Sequence, residues 1–395
     1  MKLNDELIVT IIDEDNIGNG IAKINDFVIF IKNTLLNEKV KIKITKVNKN
    51  YAIGEIINII EQSKYRINII CPYYNICGGC NFLHTTYNNE RYIKLKYLEK
   101  LFNKNINYLD TKNELYYRNK IVLHVNNGIL GLYNDKTHDI CEIDKCYLIN
   151  PKINQFISYL KTVNLINVNE IMIRCINDQI MINIKTNKND KTLENINCDS
   201  LYINNKYIKG KEYLIDNINN YKFSIYPESF YQVNKEGMIN IYNKALDYLN
   251  KNETLLDLYC GTGTIGIWLN DKFDKITGVE INEFSIKNAN INKQLNNINN
   301  INNINNIEFI CNDAKNIKGK YDTIVVDPPR NGLSKYVIDY LNESNSKEIL
   351  YISCNPNTLK RDIDLLSNYK IKNLSCCDMF PRTKHIEIVC VLERK

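Results

Sequence analysis

No apolar run in the 395 residues reaches the ~18 that a membrane span needs, so no membrane partner is expected. The opening MKLNDELIVT brings acidic residues early and lacks the charged-then-apolar pattern of a secretory signal, which makes the cytoplasm the expected location. Charge of one sign is not in large excess either. The net +6 favours an anionic partner such as nucleic acid only weakly, and compositional drift toward Lys, Asn, Ile and Tyr accounts for it equally well. Without a secretory signal, the thirteen cysteines do not read as a disulfide framework but as thiols, metal ligands or catalytic groups. A 44% hydrophobic content supplies a core of ordinary size, and the length calls for two or three domains.

Residues 1–62 hold five short strand-like runs (LIVTIID, GIAKIND, FVIFIK, KVKIKITKV, YAIGEIINII) punctuated by Gly18, Gly20, Asn25-Asp26 and Asn33. That spacing predicts a small OB-like β-barrel, an architecture that often offers a face to oligonucleotides. Residues 63–225 form a mixed central region with a cysteine cluster, a helix over NNERYIKLKYLEKLF, and strands such as KIVLHV and EIMIRCI. Residues 226–395 alternate seven apolar strand runs with helical stretches, the pattern of a doubly wound α/β domain. The Asn/Ile tract from Asn290 to Asn306 reads as a helix end entering an expanded loop of no functional weight.

In the last region, TLLDLYC runs into Gly261-Thr262-Gly263-Thr264-Ile265-Gly266 and then an apolar helix. Glycines there close a tight turn and let the backbone approach a ligand at a helix N-terminus. Glu280 ends the next strand, nineteen residues beyond Gly261, where a carboxylate accepts hydrogen bonds from a ribose diol. This pattern serves a nicotinamide cofactor and S-adenosylmethionine equally. YDTIVVD then ends in Asp327-Pro328-Pro329-Arg330, and two prolines stop the strand abruptly. Amino-group methyltransferases carry an aromatic after such prolines; Arg330 points to different target chemistry.

EILYISC ends at Cys354, on the sheet edge where Gly261, Glu280, Asp313 and Asp327 also fall. A lone cysteine at a strand end is usually core; this convergence assigns Cys354 to chemistry instead. HIEIVCVLE follows closely enough to run antiparallel, which brings Glu387 toward Cys354 as a general base. A thiolate, a base and a methyl donor suffice to methylate C5 of uracil. Addition of sulfur to C6 makes C5 nucleophilic, C5 takes the methyl, and loss of the C5 proton releases the thiol.

The segments DLYCGTGTIGI, DPPR, SCNP and MFPRTKHIEIV resemble, in order and spacing, the RNA uracil-5 methyltransferases, and in particular their iron–sulfur ribosomal-RNA branch. The resemblance spans nearly the whole chain. It implies a Rossmann-like methyltransferase domain over 226–395, a TRAM barrel over 1–62, and S-adenosylmethionine held by Gln232 (from SFYQVN), Tyr259, Glu280, Asp313 and Asp327. It also implies Cys354 as nucleophile, Glu387 as base and 23S ribosomal RNA as partner.

CPYYNICGGC places Cys71, Cys77 and Cys80 in a C-x5-C-x2-C arrangement, with Cys146 of CEIDKC a fourth candidate ligand. Spacing alone leaves a [4Fe–4S] cluster and zinc open. The resemblance implies [4Fe–4S], and Cys146 rather than Cys141; His84 reads as structural. A target uridine must lie in a loop or be flipped out to reach a strand-edge crevice. Transfer-RNA methylation shares the catalytic parts and is the sister reading. A non-catalytic iron–sulfur RNA-binding protein would leave Cys354 and Glu387 idle, and a nicotinamide oxidoreductase is a remote third.

Overall fold

A computed structural model describes residues 1–135, 137–188, 190–296 and 306–395; the middle of the Asn/Ile tract lies outside the described residues. The chain divides into two compact units. One holds residues 1–105, 133–141 and 380–385, the other residues 106–132, 142–379 and 386–395. Packing thus cuts the chain elsewhere than the division at 62 and 225, because the cysteine loop and the helix after it pack with the barrel.

In the first unit, β1 (Glu6–Thr10), β2 (Asp13–Glu14), β3 (Asn19–Ile24), β4 (Phe27–Lys32), β5 (Lys39–Val47) and β6 (Tyr51–Glu61) form a sheet in the order β1-β5-β6-β4-β3-β2. Alternation along each long strand sends Val9, Ala22, Ile29, Ile31, Val40, Ile42, Ile44 and Ala52 into one core. A sheet whose long strands all feed one core must curl around it, as the barrel expectation requires. The five predicted strands are present, with β2 added. Helix α1 (Tyr87–Phe102) follows the cysteine loop. Its Glu90 is buried with Lys94, 2.7 Å away, and accepts from the Arg382 backbone N–H at 2.8 Å. A buried carboxylate is tolerable here because cations meet it.

The second unit contains two larger sheets. The first is built from β8 (Lys120–Asn126), β9 (Ile129–Tyr133), β11 (Val168–Ile176), β12 (Gln179–Thr186), β13 (Ser200–Ile203) and β14 (Lys206–Gly210), in the order β9-β8-β11-β12-β13-β14. Between β9 and β11 the chain forms β10 (Ile140–Glu142) and α2 (Pro151–Leu160). A hairpin, β15 (Leu214–Ile218) with β16 (Tyr221–Ile225), leads to α3 (Lys235–Tyr248).

The second sheet combines β7 (Asn107–Leu109), β17 (Asn252–Leu258), β18 (Phe273–Glu280), β19 (Ile307–Cys311), β20 (Thr323–Val326), β21 (Glu348–Ser353), β22 (Tyr369–Cys377) and β23 (Glu387–Arg394). Its order is β19-β18-β17-β20-β21-β23-β22-β7, with β23 antiparallel to both neighbours. Helices α4 (Thr264–Trp268), α5 (Glu283–Asn296), α6 (Lys335–Glu343) and α7 (Pro356–Leu365) supply the connections. All seven predicted strands are present. An eighth, β7, joins the edge of β22 from far earlier in the chain, so the sheet has eight strands, the seven expected from residues 226–395 and this one from outside them. Among the described residues no helix is long and apolar enough to cross a membrane.

Candidate active site

The parallel strands end on one edge, and the loop after β17 is shaped by backbone conformation. Tyr259, Gly261 and Gly263 all have positive φ (65°, 52° and 76°). A tyrosine in that region is strained, which marks the turn as over-determined by its surroundings. A Cβ on Gly261 would meet nothing within 4 Å, so open space faces its backbone; at Gly263 a Cβ would lie 2.4 Å from the Phe309 ring. One glycine leaves room for a ligand, the other for packing.

Glu280, at the end of β18, accepts from the backbone N–H of Gly261 (3.3 Å) and of Asn282 (2.9 Å). It holds the turn with two carboxylate oxygens at the rim. Asp313 follows closely, since the Asn312 N–H donates to the Glu280 carbonyl at 3.0 Å. Its own carboxylate caps a short turn through the Lys315 N–H (3.0 Å) and pairs with Lys315 Nζ at 3.0 Å. These contacts hold the Asp313 carboxyl below the usual range. Tyr259 is near enough to feel Asp313, and burial raises its phenol. Gln232 sits before α3, held at its backbone by Asn119, whose Nδ2 donates to the Gln232 carbonyl at 3.0 Å; no described hydrogen bond joins its side chain to the other four.

A second group gathers at β20, β21 and β23. In the β21–β23 ladder Ser353 pairs with Ile388, so one further step sets Cys354 opposite Glu387. Glu387 also pairs with Cys377 on β22. The sequence reading placed Glu387 third in its strand; it is the first residue of β23, at the same edge. Burial raises the Glu387 carboxyl well above its ordinary value, and Asp327 adds to that while Arg330 opposes it. Burial likewise lifts the Asp327 carboxyl to about 7. The Cys354 thiol is raised by burial first and by Glu387 second, with Arg330 pulling it back. Asn355 Nδ2 (3.1 Å) and Thr358 Oγ1 (3.3 Å) both donate to the Arg330 carbonyl, which ties the double-proline loop to the start of α7 beside Cys354. Cys354, Glu387, Asp327 and Arg330 are therefore one electrostatic group.

Three residues escaped the sequence reading. Asp257, wholly buried in β17, accepts from the Gly266 N–H at 3.2 Å, and burial pushes its carboxyl up to about 8. Its signal was available: an acid inside the apolar run TLLDLYC. Tyr242 of α3 meets Thr264 Oγ1 at 3.0 Å. Asn292 of α5 accepts from Ser224 N–H and Oγ (both 2.7 Å) and donates to the Thr262 carbonyl at 2.9 Å, bracing the glycine turn.

The cysteine cluster stands differently. Cys71, Cys77, Cys80 and Cys146 are all half-buried and outside any disulfide. Among the described residues, however, no group of three or more His, Cys, Asp or Glu side chains is arranged to hold a metal ion. As arranged they do not make a metal site, and no step of chemistry is assigned to one. His84 is buried with its Nδ1 2.8 Å from Tyr74 Oη, and burial with Arg66 and Arg382 nearby lowers its imidazole to about 3. It is a neutral core residue.

Comparison with known proteins adds independent findings. Residues 141–395 match the family described as tRNA (Uracil-5-)-methyltransferase, and residues 2–57 match the TRAM domain. An uncharacterized RNA methyltransferase of Clostridium acetobutylicum is 33% identical over 100% of this chain and 98% of its own length. One from Staphylococcus aureus is 33% identical over 99% of each chain. The crystal structure of a Pyrococcus abyssi tRNA (uracil-54, C5)-methyltransferase in complex with S-adenosyl-L-homocysteine superposes with a TM-score of 0.81, covering 98% of this chain and 99% of that one at 24% identity.

Proposed function

The chain belongs to the tRNA (uracil-5-)-methyltransferase family, and from that premise we propose that it transfers the methyl group of S-adenosylmethionine to C5 of a uridine in 23S ribosomal RNA. The observation that supports this reading is the β21–β23 register, whose last pair lies one step from Cys354 and Glu387, together with the effect of the Glu387 carboxyl on the Cys354 thiol. The methyl donor, when bound, supplies an electrophilic methyl group. Gln232, Tyr259, Glu280, Asp313 and Asp327 are the residues proposed to hold it, with the two Glu280 oxygens suited to a ribose diol.

Cys354 Sγ bonds to C6 of the uracil, its proton leaving to solvent, and the ring electrons move toward C5. Arg330, the one cation of the group, favours the thiolate. C5 then takes the methyl group. Glu387 Oε removes the C5 proton, the electron pair returns to the ring, and the C6–S bond breaks. Burial holds the Glu387 carboxyl above its ordinary value, and Arg330 opposes that rise, the direction that favours a carboxylate able to take the proton.

The three-part division fits these roles: residues 1–62 as a TRAM barrel for RNA, 63–225 as a central domain, and 226–395 as the catalytic domain. Cys71, Cys77, Cys80 and Cys146 are proposed as [4Fe–4S] ligands on the family resemblance, since their thiol chemistry and spacing alone suit zinc equally. Iron and sulfide analysis of protein purified without oxygen tests this; zinc or no metal overturns it. Incubation with labelled methyl donor and purified 23S RNA or transfer RNA tests the substrate. Label in 23S RNA as 5-methyluridine is expected, and label confined to transfer RNA would replace that assignment with the sister one.

A further inference from the structure

The central sheet of the second unit has two unlike faces. On one, Ile121, Leu123, Ile171, Ile173, Ile182 and Ile184 are buried. On the other, the β8–β11 register sets Lys120 opposite Arg174, Val122 opposite Met172 and His124 opposite Glu170. Directly opposed residues lie side by side on one face, with Cβ atoms about 4.5–5.5 Å apart. Two cations there repel unless something lies between or above them.

Among the described residues no ion pair meets that need. Arg174 is 1% exposed and donates once, from Nη2 to the Ser229 carbonyl at 3.3 Å, while Nε and Nη1 have no hydrogen-bond partner. Lys120 is half-buried, and among the described residues neither cation has a carboxylate within ion-pair distance. The acid of this face, Glu170, lies two pairs away against His124 Nδ1 at 3.7 Å. Burial first, and Arg174 second, lower the Lys120 amine to about 8, with Glu170 opposing them from a distance. An uncompensated buried guanidinium costs several kcal/mol, so an anion supplied from outside is the natural complement.

The place of the pair in the chain identifies the anion. Arg174 holds Ser229 and Asn119, next to Lys120, holds Gln232, so both cations border the SFYQVN segment proposed for the methyl-donor site. We propose that Lys120, backed by Arg174, is a phosphate-holding site for the substrate RNA backbone, gripping a phosphodiester next to the flipped uridine. Lysine serves as a compact point charge for a phosphate oxygen, and the guanidinium behind it deepens the positive potential. The inference rests on the RNA-methylation reading above.

The test uses the full chain and the RNA that wild-type protein methylates. Lys120→Ala is expected to raise KM for RNA about tenfold while kcat stays within about twofold, the loss of one charge-assisted contact. The slope of log Kd against log salt should fall in magnitude by about 0.7–0.9, one phosphate's worth of released counterion. Lys120→Arg should restore both, and S-adenosylmethionine affinity should not change. Unaltered KM and salt slope in a folded Lys120→Ala protein would overturn the proposal. So would weakened methyl-donor binding with unchanged RNA binding, which would assign the pair to the donor's carboxylate. Wild-type protein that binds RNA but methylates none would instead count against the catalytic reading, and the salt slopes would still decide the phosphate site.

Discussion

Replacing Glu387 by Gln separates the two halves of the reaction. The substitution preserves shape in a strand whose residues Glu387–Leu392 are all buried, so the fold should survive. Glu387 lies one step beyond the Ser353–Ile388 pair, and directly opposed residues of an antiparallel pair have Cα atoms about 4.5–5.5 Å apart. A carboxylate at that range can reach the C5 proton of a uracil bonded to Cys354 Sγ; an amide cannot accept it. Removing a positioned general base costs about 10²–10⁴-fold in rate. Turnover should fall by that factor, whereas addition of sulfur and methyl transfer, which precede proton removal, should still occur once. The methylated RNA then stays attached to protein. Label from the methyl donor should appear in a protein–RNA species that survives denaturing electrophoresis, at up to one equivalent per protein. Cys354→Ala should give neither attached nor free product while still binding RNA. Turnover within about tenfold of wild type in Glu387→Gln, or loss of all methyl transfer without any attached species, would refute the assignment of Glu387 as the base for C5.

Asp257 predicts an alkaline weakness. Its folded carboxyl stands at about 8 against an ordinary 3.8, so its contribution to stability is present below the ordinary value and is lost as pH rises through the folded one. Asp257→Asn carries no such charge; it should be more stable than wild type by a few kcal/mol at about pH 9 and similar at about pH 4, read by urea unfolding, and parallel pH profiles would contradict this. Asn292→Ala strips the Ser224 N–H and hydroxyl and the Thr262 carbonyl of a buried partner, at about 1–3 kcal/mol for each group left unsatisfied. The expected results are a lower melting temperature and about tenfold weaker methyl-donor binding by calorimetry, and unchanged affinity would show that the glycine turn holds itself.

The catalytic sheet was legible because its signals are local. A strand with four apolar residues, Ile349–Ile352, leading to Cys354, or one leading to Asp327 before two prolines, announces both the element and the edge proposed for the chemistry. Glu387 required one step more, the inference that a strand so soon after its predecessor returns antiparallel, and the ladder runs that way. Elements whose meaning depends on a distant partner stayed hidden. β7 is three residues long and forms a strand by pairing with β22, more than 260 positions later. Asn292 was lost in an Asn-rich background where no single asparagine stands out. Asp257 shows an intermediate case: visible as an acid in an apolar run, but interpretable only once burial is known.

Lys120 and Arg174 mark the limit of that reading. KIVLHV and EIMIRCI were each recognisable as strands, yet period-two alternation says only that Lys120 and Arg174 face away from the isoleucines of their own strands. Whether two like charges meet depends on register, and a slip of one residue would send them to opposite faces. The observed register brings them together, and among the described residues no carboxylate pairs with either cation, Glu170 offsetting the charge on Lys120 only from a distance. A fold selected only for stability could have relieved that repulsion with one acidic substitution on β8, β11 or β12. That the face keeps its positive charge beside the Gln232 segment is the strongest reason to expect that its counter-charge arrives with the substrate.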